Sequence, residues 1–245
     1  MKDLERLVAA AIDGDRRGLA RLLTVIERGD EALRPLLPRI FAAGHEAHLV
    51  GVTGPPGSGK STLVNALAAE FRRRGRRVGI VAVDPTSPYT GGAILGDRIR
   101  MMEHAADRDV FMRSMASRGE LGGLAATTWI AAAALDAAGY DPILVETVGA
   151  GQSEVEIARL AETTVVVEVP EMGDEVQAIK AGLLEVADVI AVNKGDRPGA
   201  QHAARQLRAM MSTAGGRVAR KPPPILITTA TSGEGVPQLA DAIEQ

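Results

Sequence analysis

One glycine-rich segment, residues 54–61 with the sequence GPPGSGKS, constrains the fold of this chain more than any other segment. It follows the pattern G-x-x-x-x-G-K-[ST], with an apolar run at 49–53 before it and a helix-forming run after it. This pattern needs a strand, a tight loop and a helix N-terminus in that order, because loop N–H groups and the helix field together hold phosphate groups. The segment therefore predicts an α/β fold built around a phosphate-binding loop.

Short apolar runs alternate with helical stretches from residue 48 onward. Runs rich in Val, Ile and Leu predict strands at 49–53, 78–83, 110–112, 143–145, 164–169, 189–192 and 225–228. Helices are predicted at 61–74, 124–138, 176–186 and 200–211. Strands this apolar are buried on both faces, so the pattern predicts a doubly wound, mostly parallel sheet covered by helices. We assign residues 47–245 to this one α/β domain.

The N-terminal part of the chain has a different pattern. Apolar residues recur at helical spacing, in two sets separated by Gly14: Leu4, Leu7, Val8, Ala11 and then Leu19, Leu22, Leu23, Ile26. We predict that residues 1–46 form a short helical extension that packs on the main domain.

Composition excludes several classes of function. The net charge is −3 and the only aromatic residues are one Trp, two Tyr and three Phe, which argues against a nucleic-acid partner. The absence of cysteine rules out disulfides, zinc–thiolate sites and thiol catalysis. The start of the chain has no signal-peptide core, and no apolar run is long enough to cross a bilayer. We expect a cytoplasmic protein that does not use a membrane.

The glycine-rich loop supplies the expected phosphate and metal ligands. Its cofactor-binding residues are Gly54, Gly57, Ser58, Gly59, Lys60 and Ser61. The glycines let the backbone wrap around phosphates. Lys60 is expected to reach the β- and γ-phosphates as a catalytic residue, and Ser61 is expected to ligate Mg²⁺.

Two further strand ends carry residues suited to magnesium and to the γ-phosphate. Glu146 ends the apolar run that begins at residue 143, and it is expected to act through the Mg²⁺ shell. Gly149 would let the backbone approach the γ-phosphate, and Gln152 is a candidate for positioning the attacking water. Asp84 ends another strand, and Asp97 follows it across a Gly/Ser/Thr/Pro-rich stretch. Both are candidates for holding magnesium through its outer shell of ligands.

The strand at 189–192 leads into Asn193-Lys194-Gly195-Asp196, an N-K-x-D pattern. Guanine presents two donors on one edge, N1–H and the 2-amino group, and the two carboxylate oxygens of Asp196 can accept both. Adenine has an acceptor at N1 and would be repelled. Asn193 can hold the loop, and the Lys194 stem can lie along the ring. Thr229 and Ala230, after the last strand, are placed for a second base contact.

Together these motifs resemble the methylmalonyl-CoA mutase-associated GTPases of the MeaB/ArgK type. The matching stretches are 54–62 (GPPGSGKST), 82–101 (AVDPTSPYTGGAILGDRIRM), 145–154 (VETVGAGQSE), 173–180 (GDEVQAIK) and 184–196 (LEVADVIAVNKGD). The second and third are far more specific than a bare phosphate loop. The resemblance implies a P-loop G domain with a helical N-terminal extension, which binds GTP or GDP with Mg²⁺.

The resemblance also implies roles for individual residues. It adds Thr62 to the phosphate ligands, places Asp84, Asp97 and Glu146 around magnesium, and places Asn193, Lys194 and Asp196 on guanine. Residues 171–180 resemble an additional switch loop of the family, in which Lys180 would be the responsive catalytic residue. Glu171 and Met172 depart from the family pattern, where smaller residues are usual.

The family's activity implies a GTPase, slow without its partner, that gates cobalamin loading and protects a cobalamin-dependent acyl-CoA mutase such as methylmalonyl-CoA mutase. Members continue into a C-terminal dimerisation arm, whereas this sequence stops at Gln245, so the usual homodimer is in doubt. Two alternatives remain open: a metal-insertion GTPase, and a kinase in line with the family's older arginine/ornithine transport naming. A nucleotide-regulated binding module with negligible turnover is a further alternative.

Overall fold

The computed structural model describes residues 2–84, 107–116, 123–147, 160–170, 185–214 and 222–245. Its strands are β1 Leu49–Thr53, β2 Val78–Asp84, β3 Val110–Ala116, β4 Ile143–Thr147, β5 Thr163–Glu168, β6 Val189–Val192 and β7 Ile225–Ile227. They form one seven-stranded sheet in the order β3-β2-β4-β1-β5-β6-β7. The pairs β1–β5, β2–β3, β5–β6 and β6–β7 are parallel. The predicted doubly wound α/β fold is confirmed.

The helices are α1 Lys2–Ile12, α2 Arg16–Arg28, α3 Leu37–Ala42, α4 Lys60–Arg73, α5 Gly123–Ala137, α6 Ala200–Ala214 and α7 Val236–Ile243, with a 3₁₀ segment at Glu31–Leu36. Asp15 begins α2 by accepting hydrogen bonds from the N–H groups of Arg17 and Gly18, and Gly29 ends it in the left-handed region at φ 68°. The helix predicted at 176–186 falls largely outside the described residues.

Two strands run further than their apolar patterns predict. β3 was expected to end at Met112 and β4 at Val145, because polar residues follow each of them. Instead, Arg113 pairs in register with Val81, and Ala116 pairs with Asp84. Backbone pairing with a neighbour therefore extends a strand past the point where its side chains stop being apolar.

The chain forms two compact units. Met1–Leu49 and Phe71–Val145 form the first, and Val50–Glu70 and Glu146–Gln245 form the second. The helices of the N-terminal segment belong to the first unit, where α1, α2 and α3 contact α5. The division into an extension at 1–46 and a domain at 47–245 stays a prediction.

In the first unit, α2 is fastened to β3, an outer strand of the sheet. Arg16 Nη1 donates to the carbonyl oxygens of Arg108 and Val110 at 3.0 and 2.8 Å, and its guanidinium lies 5.2 Å from the Phe111 ring centroid. The carbonyl oxygen of Asp109, which lies between them in sequence, accepts a hydrogen bond from the N–H of Val78 in β2. Alternate carbonyls point to opposite edges of a strand, so Arg16 satisfies the edge that no strand pairs with among the described residues.

A second contact of α2 with β3 is the ion pair between Glu27 and Arg113, whose side chains are 19% and 23% exposed. We expect Glu27→Gln to lower the free energy of unfolding by about 1–3 kcal/mol, because a half-buried guanidinium loses its carboxylate. Urea unfolding of the variant measures this. The exposed Glu31→Gln is the matched control, with an expected change within about 0.5 kcal/mol. Equal effects of the two substitutions would show that the pair contributes no stability.

Candidate functional site

The phosphate-loop segment lies in the second unit between β1 and α4. Gly54, Gly57 and Gly59 have φ angles of 142°, 75° and 87°, which non-glycine residues rarely adopt. A Cβ on Gly54 would lie 2.2 Å from the carbonyl oxygen of Val167, and one on Gly59 would lie 2.6 Å from Nδ2 of Asn193. Glycine is therefore needed at both positions, for backbone conformation and for space.

Lys60 is the first residue of α4 and is only 6% exposed. Its Nζ donates to the carbonyl oxygens of Gly54 and Pro55 at 2.7 and 3.0 Å, so the ammonium group lies across the loop. A terminal phosphate offers stronger acceptors than these carbonyls, because its oxygens carry full negative charge. The helix N-terminus adds a field of the same sign beside the ammonium group.

Ser61 and Glu146 are brought together across 85 positions of sequence. The Ser61 hydroxyl donates to Oε1 of Glu146, a carboxylate that is 2% exposed. At the same end of the strands, Thr147 Oγ1 donates to Thr53 Oγ1 at 3.3 Å, which ties the ends of β4 and β1. A hydroxyl and a carboxylate in contact are hard oxygen donors, the ligands that Mg²⁺ takes, so this pair fits the ion.

Asn193 connects three loops of the second unit and is 2% exposed. Its Nδ2 donates to the carbonyl oxygen of Ser58 at 2.9 Å. Its Oδ1 accepts from Thr228 Oγ1 at 3.3 Å and from the N–H of Ala230 at 3.2 Å. The phosphate loop, the loop after β6 and the loop after β7 are thereby held by one side chain. Ser58 takes part through its carbonyl, while its Oγ has no hydrogen-bond partner among the described residues.

Lys194 adds a second link between the same loops. Its Nζ donates to the carbonyl oxygen of Gly57 at 2.8 Å, and its backbone has φ 58°, in the left-handed region. A lysine in this region is uncommon, and such residues cluster at functional sites. Because its Nζ is held at the phosphate loop, the Lys194 side chain lines a cleft beside that loop.

A cleft of about 180 Å³ opens beside these links. It is lined by Gly59, Thr62, Asn193, Lys194, Asp196, Arg197, Thr229, Ala230 and Thr231. Asp196 is exposed there, so its carboxylate is free to meet a ligand edge. Arg197 and Thr231 did not stand out in the sequence, because a charged and a small polar residue after a loop motif look like ordinary surface residues. Their adjacency to Asp196 and Ala230 was the available signal.

Several predicted residues do not belong to the part of the chain that the structure describes. Asp97, Gly149, Gln152 and Lys180 lie outside it, and Asp84 is described by its backbone alone, as the last residue of β2. Their roles stay predictions. The described residues that the structure does bring together are those of the phosphate loop, the Ser61–Glu146 pair and the cleft around Asp196.

The family model described as "Methylmalonyl Co-A mutase-associated GTPase MeaB" matches residues 19–245. The chain belongs to this family. The expected resemblance is confirmed, and with it the assignment as a GTPase that binds GTP and GDP and hydrolyses GTP. The phosphate loop and the Asp196 cleft of this MeaB-family GTPase are the described parts of its candidate nucleotide site.

Curated relatives and solved structures agree with this assignment. A protein of Pyrococcus horikoshii named as a GTPase is 47% identical over 247 residues, covering 100% of this chain and 78% of that protein. The mouse mitochondrial methylmalonic aciduria type A homolog is 35% identical, covering 99% of this chain and 62% of its own. The crystal structure of a LAO/AO transport system kinase has a TM-score of 0.77 at 29% identity, covering 98% of this chain and 74% of that chain.

A more distant structure supports the fold alone. The hydrogenase maturation factor HypB from Archaeoglobus fulgidus has a TM-score of 0.59 at 20% identity, with 86% of this chain and 96% of that chain covered.

Proposed function

We propose that this MeaB-family GTPase uses GTP binding and hydrolysis to gate cobalamin loading of a cobalamin-dependent acyl-CoA mutase such as methylmalonyl-CoA mutase, and to protect that enzyme. The observation that carries the proposal is the family match over residues 19–245, because the family is described by its association with methylmalonyl-CoA mutase. The name of the mouse relative, which refers to methylmalonic aciduria, supports the same partner class.

The proposed roles at the nucleotide follow from the described contacts. Asp196 accepts from N1–H and the 2-amino group of guanine, while Asn193 and Lys194 hold the base loop against the phosphate loop. Lys60 moves its ammonium from the carbonyls of Gly54 and Pro55 to the β- and γ-phosphates. Hydrolysis breaks the bond between the γ-phosphorus and the bridging oxygen. The attacking water supplies the new oxygen, and the products are GDP and phosphate.

Mg²⁺ is proposed as the accompanying ion. Ser61 and Glu146 would hold it, with Asp84 and Asp97 as further candidates, and it would neutralise charge on the β- and γ-phosphates. Beside it, Gly149 is proposed to let the backbone sense the γ-phosphate. Gln152 is proposed to orient the water, and Lys180 to respond to the partner.

No helix in the described ranges is long and apolar enough to cross a membrane. We propose a cytoplasmic location.

The proposed gating predicts slow hydrolysis by the isolated protein and acceleration by the mutase. In other GTPases, an arginine supplied by a partner raises the rate of GTP hydrolysis about 10³–10⁵-fold. A loop rearrangement that brings Lys180 to the nucleotide would also raise this rate. We expect Lys180→Ala to lose most of the stimulation ratio, measured as phosphate release with and without purified mutase.

Arg205→Ala is the control for this measurement, because Arg205 is an exposed cation on α6 that does not line the cleft. It should keep the full ratio. Equal stimulation of the wild type and Lys180→Ala would remove Lys180 from the mechanism. Hydrolysis by the isolated wild type at the rate of a stimulated enzyme would contradict gating altogether.

A further inference from the structure

The first unit carries an open groove of about 960 Å³ that the nucleotide site does not use. It is bordered by α1, α2 and the start of the 3₁₀ segment. Four half-buried apolar residues line it: Leu4, Leu7, Ala10 and Val25. A Cβ on Gly18 would lie only 3.0 Å from the Cβ of Ala10, so the two helices approach closely at that end. We call this feature the α1–α2 groove.

Three arginines of α2 line the same groove. Arg17, Arg21 and Arg28 stand at positions i, i+4 and i+11, which places them on one face of the helix. All three are exposed. Within the described ranges, none of the three side chains makes a hydrogen bond or an ion pair. Their N–H donors, about five for each guanidinium, therefore face solvent.

The acidic residues of the groove are already engaged. Asp15 caps α2 and Asp30 caps the 3₁₀ segment. Asp3 lies 3.9 Å from Arg6 in an exposed pair, which leaves no excess of negative charge at that point. Four arginines stand against three aspartates in the lining, so the groove has a formal net charge of +1 on a chain whose net charge is −3. This local reversal of sign is the property a negatively charged ligand would recognise.

Packing of the opposite face of α2 fixes the orientation of the helix, so that Arg17, Arg21 and Arg28 face the groove. Leu19, Leu22 and Leu23 are each at most 1% exposed, and Arg16 and Glu27 bond to β3. The helix therefore cannot rotate its free arginines toward another part of the first unit without breaking this packing. The surface is organised in advance of any ligand, which reduces the entropy lost on binding.

We propose that the α1–α2 groove docks an acidic amphipathic helix of a partner protein. The apolar side of that helix would cover Leu4, Leu7 and Val25, and its carboxylates would meet Arg17, Arg21 and Arg28. The 13 residues of α2 give a groove of about 20 Å, the length of a helix of three to four turns. An apolar floor with a basic rim favours an acidic helix over nucleic acid, which would leave the floor uncovered. The proposal rests on the proposed function only in taking the mutase as the partner.

A peptide measurement tests the groove by itself. The probe is a fluorescein-labelled peptide of about 18 residues, with Leu at i, i+3/i+4 spacing and Glu on the flanking positions, followed by anisotropy. Two further peptides are compared with it, one scrambled to abolish the apolar stripe and one with Lys in place of Glu. We expect the wild type to bind the acidic amphipathic peptide with an affinity at least about tenfold higher than its affinity for the scrambled peptide or the Lys peptide. This affinity should fall as the salt concentration is raised.

Three variants separate the groove from general charge. R17E/R21E/R28E should lose the binding, and R17Q/R21Q/R28Q should weaken it less. R34E/R39E/R205E makes the same change in net charge at exposed arginines outside the groove and should bind like the wild type. Absence of binding by the wild type, or equal loss in R34E/R39E/R205E, would overturn the proposal. Equal binding of the scrambled peptide would also overturn it.

The same variants are then measured with purified mutase, and their own GTP hydrolysis should match the wild type because the groove shares no lining residue with the nucleotide cleft. Failure of the wild type to bind mutase would count against the proposed function, while the peptide result would still decide the groove. Binding of mutase by the wild type and R17E/R21E/R28E alike would overturn the groove as its docking surface. Two other outcomes would also overturn the proposal, both with peptide binding unchanged in R17E/R21E/R28E. If this variant lost binding to phosphatidylserine vesicles, the surface would be assigned to a membrane. If it lost self-association, the surface would be assigned to a second copy of the chain.

Discussion

Replacing Asp196 with asparagine should convert the nucleotide preference of the protein from GTP to xanthosine triphosphate. The carboxylate of Asp196 lines the base cleft and can accept from both donors on the guanine edge. The amide keeps one acceptor and places an N–H₂ group opposite the guanine 2-amino group. Losing one charge-assisted hydrogen bond, at about 1.5–3 kcal/mol, and weakening the other to a neutral bond, at about 1 kcal/mol, corresponds to a loss of roughly 10²- to 10³-fold in GTP affinity. Xanthine offers a carbonyl acceptor at that position, which restores a bond.

Competition binding with GTP, xanthosine triphosphate and ATP measures this change. Asp241→Asn is the matched control, because it makes the same carboxylate-to-amide change at an exposed position on α7 away from the cleft. The control should keep the preference for GTP. Comparable affinity of the wild type for ATP and GTP would contradict the role of Asp196. So would an Asp196→Asn variant that still prefers GTP.

Removing the Lys60 ammonium should reduce GTP hydrolysis by about 10²- to 10³-fold, the effect of deleting one preorganised group that stabilises developing charge in a transition state. Its Nζ already lies at the mouth of the phosphate loop, where it donates to the carbonyls of Gly54 and Pro55. No other lysine of the described residues is in the phosphate loop. Single-turnover hydrolysis by Lys60→Ala separates this effect from product release.

Stability distinguishes a phosphate role for Lys60 from a structural one. Lys60→Ala gives up the hydrogen bonds to the Gly54 and Pro55 carbonyls, but it also removes a buried charge and the cost of its desolvation, so its free energy of unfolding without nucleotide should change by no more than about 2 kcal/mol. The stabilisation by added GTP should instead be largely lost, because ligand binding and stability are linked. The exposed Lys2→Ala is the control and should retain both. Unchanged turnover in Lys60→Ala would remove the lysine from the site.

Asp196 and Lys60 both belong to segments that are recognisable in the amino-acid sequence alone, and the reason is physical. The phosphate loop needs glycine at specific backbone angles, a lysine and a hydroxyl at fixed spacing, and a strand and a helix on either side. Each of these requirements is met by residues that are neighbours in the sequence. The same holds for Asn193 to Asp196 at the end of an apolar strand. Strand centres were likewise predictable, because Val- and Ile-rich runs that are buried on both faces cannot be mistaken for amphipathic helices of ordinary length.

Contacts between segments distant in sequence were not predictable in the same way. The spacing of residues 193 and 58 in sequence says nothing about the hydrogen bond between Asn193 Nδ2 and the Ser58 carbonyl, which depends on strand order. Sequence reasoning assigned Asn193 a part in holding its own loop and the base. The structure shows that it also holds the loops after β1 and β7. Arg197 and Thr231 were missed for the same reason, since only the folded cleft places them beside Asp196.

The N-terminal helices show the same division of information. The amphipathic helices of residues 1–46 were predictable from the sequence, because apolar residues recur there with the period of a helix in two sets separated by Gly14. The attachment of α2 to β3 through Arg16 and Glu27 could not be predicted, nor could the open groove that Arg17, Arg21 and Arg28 line. Local sequence encodes periodicity and backbone angles. Which face of a helix is covered, and by what, is decided by packing between segments that the chain brings together only on folding.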